Sequence, residues 1–246
     1  KVISSLKPDY VFTFTPKANI YAAMASRILK FNFFPNITGM GSYYIKNGAI
    51  KILIEFFYKV FLKKAKYIFV QNNSDKKLFI EKYNFNESKL LLIPGSGINI
   101  SRYKPKYLFN ANCKKFLIAS RLVKEKGIRE FYHAAKMLIK NFPHIQFHLF
   151  GEYEHKNKNS ISVELFNKIK ELKNIKYFKF QNNLKDLIHN YDCLILPSYR
   201  EGMSRFLLEG IAMGKPLLVS NAPGCKELCN GSNGFIFKVK SSNSLY

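Results

Sequence analysis

The stretch CLILPSYREGMSRFLLEGIAMGKPLLVS, residues 193–220, decides the fold of this chain. It opens on an apolar run closed by Pro197 and passes through a polar turn. It then continues at helical spacing to Met213 and returns to an apolar run after Lys215. Strand, loop, helix and strand in that order make the repeating unit of a parallel α/β sheet. Within it, Glu201 and Glu209 bracket the helix start with seven residues between them. Two carboxylates so placed can grip both ends of a hydroxyl-rich, phosphate-bearing ligand.

The same rhythm extends in both directions. Upstream, strands are predicted over 10–14, 33–37, 67–71 and 90–94, with helices over 18–29, 48–66 and 74–83, the last with a Ser cap. The segment 98–113 is polar and irregular, contains Pro105, and reads as an interdomain linker. The rhythm restarts with strands over 116–120, 146–150, 175–180, 193–197, 216–220 and 235–239. Helices are predicted over 128–141, 160–172, 184–189 and 204–213. The fold class is therefore α/β: two Rossmann-like, doubly wound domains, residues 1–105 and 106–246, facing a cleft near the carboxyl ends of their strands.

Composition sets the outer bounds. The chain has 246 residues, 47% of them apolar, enough for a substantial core. It begins on Lys1 rather than Met and ends soon after the apolar run 235–239, so both ends read as cut from a longer protein. Formal net charge is +24: residues 1–105 carry 17 Lys and Arg against 5 Asp and Glu, and the rest carry 23 against 11. The excess is global and favours an anionic partner, a nucleotide or a phospholipid surface. No zinc-finger, RNP or basic-zipper pattern accompanies it, which argues against nucleic acid. The four cysteines offer only a lone CxxxC, Cys225 and Cys229, with no His beside it, so they read as reduced thiols and not as zinc ligands. No secretory signal is visible.

Residues 51–66 are too charged, with Glu55 and Lys59, to span a bilayer. Ile50, Leu53, Phe57 and Phe61 form one face, flanked by Lys59, Lys63, Lys64 and Lys66. That pattern fits a core-packing helix, and alternatively a surface helix resting on anionic lipid.

Two loops could carry chemistry. Ser120-Arg121-Leu122-Val123-Lys124-Glu125-Lys126-Gly127 follows a strand and precedes a helix, where α/β folds bind phosphates. Arg121 offers a planar fork of donors and Lys126 a point charge, a pair suited to a diphosphate. Glu201-Gly202-Met203-Ser204 precedes the next helix, whose free amides make an anion seat. Two helical turns separate the carboxylates by about 12 Å, comparable to the span from ribose to sugar in a nucleoside diphosphate sugar. Glu209 would then accept from the vicinal ribose hydroxyls, and Glu201 would sit by the sugar.

SRLVKEKG (120–127), FHLFGEYE (147–154), YDCLILPSYREGMSRFLLEGIAMGKPLLVSNAPGCKEL (191–228) and NGFIF (233–237) resemble the donor-binding domain of the family 4 retaining glycosyltransferases, which have the GT-B fold. IPGSGIN (93–99) with Tyr103 is similar to the family's domain-junction motif. FTPKANIYAAMAS (14–26) and NITGMGS (36–42) resemble the subgroup that adds N-acetylhexosamines or related sugars to lipid-linked bacterial glycans. The resemblance implies that Arg121 and Lys126 hold the donor diphosphate, Glu209 the ribose and Glu201 the sugar. It further implies that the amides of Gly202, Met203 and Ser204 touch sugar or phosphate, and that the base lies near Phe180 and Gln181. No metal or cofactor is implied, the nucleotide sugar being a co-substrate. The implied reaction is transfer from a UDP-sugar to a membrane-linked glycan acceptor, for a cytoplasmic enzyme peripheral to the inner face of the plasma membrane.

The chain departs from the family where many relatives place a His in the first domain: here stands Thr38-Gly39-Met40-Gly41. All five histidines, 133, 144, 148, 155 and 189, fall in the second half and are assigned no role. The family's glycine-rich phosphate loop and its final return helix are also absent. A nucleotide-sugar 2-epimerase of the same fold and a non-catalytic nucleotide-sugar-binding fragment are the alternatives.

Overall fold

The computed structural model describes residues 2–45, 48–105, 114–181 and 183–246. They form two compact units: Lys1–Ser96 with Arg200–Met203, and Gly97–Tyr199 with Ser204–Tyr246. The sequence reading put the division at 105/106, within a linker over 98–113. Tyr103 gives the physical reason for the earlier boundary, because it is buried in the second unit's core. Residues 106–113 of the expected linker lie outside the described residues.

The first unit runs α1 (Val2–Leu6), β1 (Tyr10–Phe14), α2 (Pro16–Leu29), β2 (Asn32–Ile37), α3 (Ser42–Ile45), α4 (Ala49–Phe61), β3 (Ile68–Val70), α5 (Asn73–Glu81) and β4 (Leu90–Leu92). Its four strands are parallel and stand in sequence order, β1-β2-β3-β4. Right-handed crossovers between neighbours in that order deliver every helix to the same face. One core accordingly joins Ala23 of α2, Tyr58 of α4 and Phe79 of α5 to Phe33, Ile37, Ile68, Val70 and Leu90. On the opposite face Phe12 stacks on Phe34 at 4.9 Å, and Tyr10, Phe12 and Phe14 remain more than half exposed.

Two local expectations change here. The cap of α5 is Asn72 and not Ser74: the Asn72 side chain accepts from the Asp75 amide at 2.7 Å. The inward arc of α4 is centred on Tyr58, with Phe57 and Phe61 half-buried beside it. Ile50 and Leu53, expected on that face, instead point outward with Ile52 and Phe56.

The second unit runs β5 (Lys115–Ala119), α6 (Ile128–Asn141), β6 (Gln146–Phe150), α7 (Val163–Glu171), β7 (Ile175–Phe178), α8 (Leu184–Leu187), β8 (Cys193–Leu196), α9 (Arg205–Ala212), β9 (Leu217–Ser220), β10 (Gly234–Phe237) and α10 (Ser242–Leu245). Its six parallel strands stand in the order β10-β9-β8-β5-β6-β7. Alternate residues feed two cores. Ile118, Leu149 and Ile195 meet Ile128 and Phe131 of α6, while Leu117, Leu194 and Leu217 meet Leu207 of α9. The chain winds outward from β5 to β7, then crosses to β8 and winds the other way. That reversal makes the carboxyl ends of β5 and β8 the topological switch point.

Candidate functional site

The loops that leave β5 and β8 are the two that sequence reasoning selected. After β5, Ser120 donates its amide to the Phe150 carbonyl at 3.0 Å, and buried Leu122 and Val123 anchor the turn. A single 3-10 turn, Lys124–Lys126, ends at Gly127, which also caps α6 with φ of +66°. A Cβ there would lie 2.0 Å from the Pro197 carbonyl oxygen, so only glycine lets this loop lie against the end of β8. The Tyr199 amide donates to the Glu125 carbonyl at 2.8 Å and joins the two loops directly. Arg121 is exposed and Lys126 half-buried, on a loop held by backbone bonds.

Beyond β8, Ser204 caps α9: its side chain accepts from the Leu207 amide. Its own amide donates to the Gly224 carbonyl at 3.2 Å. Of the three amides the sequence offered as an anion seat, that of Ser204 is thus already engaged inside the fold. Gly210 brings α9 against the sheet, since a Cβ would meet Leu194 Cδ1 at 2.2 Å. One turn in, Glu209 is mostly buried and its Oε1 accepts from both Tyr103 Oη and Arg205 Nε, each at 2.9 Å. Burial and Glu209 raise the pKa of the Tyr103 phenol, so it stays a donor at neutral pH.

Glu201, Gly202 and Met203 group with the first unit. The Gly202 carbonyl accepts from Asn72 Nδ2 at 2.8 Å, and a Cβ on Gly202 would lie 2.3 Å from the Thr38 oxygen. Asn72 Nδ2 also donates to Asp75 at 3.0 Å. Arg200 pairs with fully buried Asp75 and lies 4.6 Å over the Tyr44 ring. Sequence reasoning missed this cluster. The Asn-x-x-Asp spacing does announce a helix cap, but nothing local announces a partner 125 residues away.

Phe180 and Gln181 follow β7. Phe180 is exposed, whereas Gln181 lines a cavity of about 500 Å³ with Phe150, Phe178, His148 and Tyr191. His148 Nδ1 shares a 2.9 Å hydrogen bond with the Tyr191 hydroxyl. Burial, then Lys176 and Lys115, lower its pKa. Cys193, Cys225 and Cys229 are buried. Among the described residues no helix is long and apolar enough to cross a membrane.

The family described as "Glycosyl transferases group 1" matches residues 99–246. The N,N'-diacetylbacillosaminyl-diphospho-undecaprenol alpha-1,3-N-acetylgalactosaminyltransferase of Campylobacter jejuni is 30% identical, over 100% of this chain and 68% of the relative. The UDP-Gal:alpha-D-GlcNAc-diphosphoundecaprenol alpha-1,3-galactosyltransferase of Escherichia coli is 24% identical, over 99% and 66%. The chain thus spans about two thirds of the length of these relatives. Among solved structures, Anabaena Alr3699/HepE in complex with UDP and glucose superposes with a TM-score of 0.82 at 22% identity, covering 99% of this chain and 68% of that one. Sucrose-phosphate synthase from Thermosynechococcus elongatus gives 0.81 at 16%, covering 99% and 64%. This likeness shows the fold to be the GT-B fold expected from the sequence.

Proposed function

Because this chain belongs to the glycosyl transferases group 1 family, we propose that it is the greater part of a retaining glycosyltransferase using a UDP-sugar. The donor is read as a UDP-N-acetylhexosamine or related sugar, and the acceptor as a membrane-linked glycan. The observation that carries the reading is the meeting of the β5 and β8 loops at the switch point of the second sheet, tied by the Tyr199–Glu125 bond. Arg121 and Lys126 stand on one loop, and the other leads into α9 with Glu209.

In this reading Arg121 and Lys126 neutralise the leaving diphosphate as charge develops on it, work that demands neither a metal ion nor a cofactor. Glu209 orients the nucleoside through its ribose, and Phe180 and Gln181 lie by the base. The acceptor hydroxyl attacks on the face the diphosphate leaves. Lys126→Ala in the full-length enzyme is expected to lower kcat/KM for the donor about 10²-fold or more. Undiminished turnover would remove the assignment.

The acceptor side is read as the anionic inner leaflet. Ile50, Ile52, Leu53 and Phe56 project from α4 more than half exposed, and exposed Lys59, Lys63 and Lys64 follow at its end. An apolar arc with a lysine collar suits the headgroup boundary, where each buried side chain contributes about 1.5–3 kcal/mol. A panel of nucleotide sugars, assayed with membrane extract and the full-length enzyme, tests the whole reading. Transfer from a UDP-sugar to lipid-extractable product is expected; free monosaccharide formed without an acceptor would favour epimerisation. Both curated relatives named above are transferases, which weighs against the epimerase.

A further inference from the structure

Glu209 sits on α9 with a side chain that can rotate about three bonds, yet the proposed ribose contact needs one fixed carboxylate orientation. Two donors meet it, and both land on the same oxygen, Oε1. Among the described residues no hydrogen bond reaches Oε2. The two donors are not equivalent. Arg205 lies one turn earlier on the same helix with its side chain 69% exposed, so water screens its pull and leaves it mobile. Tyr103 comes from outside the helix, on the short turn after Ile100–Arg102, and the residue is 6% exposed, in the core with Leu117, Leu194 and Leu207. A buried ring cannot follow a wandering carboxylate, so the carboxylate must come to it.

We propose that Tyr103 is a positioning residue for the nucleoside subsite. Its hydroxyl, carried on a buried residue, pins Oε1 of Glu209, so that Oε2 faces outward to accept from the vicinal ribose hydroxyls. The inference rests on the reading of Glu209 as the ribose contact. A phenylalanine at 103 would fill the same core space and pass every test of packing, but it would leave Glu209 held only by an exposed arginine. The hydroxyl, and not the ring, therefore tunes recognition of the diol.

Calorimetry on the full-length enzyme with UDP and with 2′,3′-dideoxy-UDP separates the possibilities. The wild-type protein should prefer UDP. Tyr103→Phe should weaken UDP binding about tenfold, the scale of one hydrogen bond to a charged group, while dideoxy-UDP binding stays constant and the preference collapses. A purely structural role would weaken both nucleotides together. If the wild type discriminates and Tyr103→Phe discriminates equally well, the positioning role is overturned and the ribose reading survives. If the wild type does not discriminate, the ribose reading of Glu209 falls and the positioning role with it. Site-specific 3-fluorotyrosine at 103, a stronger donor of the same shape, is a second variant whose packing is preserved. It should raise the preference for UDP, and a fall would count against the proposal.

Discussion

Gly127 and Asp75 show how single residues fix the two loops that matter. Gly127 combines φ of +66° with a backbone oxygen at 2.0 Å from any added Cβ, so no side chain relieves the crowding by rotating. Gly127→Ala is expected to cost about 1–3 kcal/mol, read as a fall in the urea midpoint of unfolding. Asp75 is fully buried and answers Asn72 and Arg200 together. Asp75→Ala leaves a guanidinium with 14% side-chain exposure facing an apolar gap. The expected loss is about 3–5 kcal/mol, and a change under a tenth of that in the same urea series would remove the pair from the account. The glycine was legible in the sequence as a helix-start residue. The aspartate was legible only as part of a cap, because its ion-pair partner arrives from a distant stretch of chain.

At the level of elements, α9 follows its sequence closely. Ser204 caps it, Leu207 buries, and Gly210 lets it approach β8 and β9. Ser204→Ala should lower stability by about 1 kcal/mol, measurable by thermal melting. Helix α4 behaves otherwise, for a reason periodicity cannot supply. Lys51, Glu55 and Lys59 form a charged stripe at four-residue spacing, and periodicity alone would turn that stripe to solvent. Packing against α2 and against Phe79 of α5, with Glu55 paired to Lys82, selects the Tyr58 arc and leaves Ile52, Leu53 and Phe56 outside. Ile52→Ser with Phe56→Ser is expected to reduce sedimentation with anionic vesicles severalfold while leaving UDP affinity unchanged. Equal loss of both would mark a folding defect instead.

For the whole molecule, charge and buried phenols set the response to conditions. With a formal net charge of +24, vesicle binding under the proposed reading should weaken as ionic strength rises. In the first unit's core, burial pushes the Tyr58 phenol up to about 12, and burial also raises Tyr43 and Tyr83. Their folded pKa values exceed the unfolded value of about 10. The stability that Tyr58 contributes is therefore complete below about pH 10 and is lost as pH rises through about 12. Urea midpoints that fall across this alkaline window, and fall less in Tyr58→Phe, are the expected result. The sequence by itself determined the ten strands, the α/β class, the two glutamates and the basic loop, because period and turn chemistry are local properties of neighbouring residues. Only the tertiary structure decided that α4 turns an apolar arc outward, that Asp75 meets Arg200, that the Ser204 amide is engaged, and that Tyr103 holds Glu209. Each of these depends on which distant side chains share a volume, and close packing settles that only once the sheets have formed.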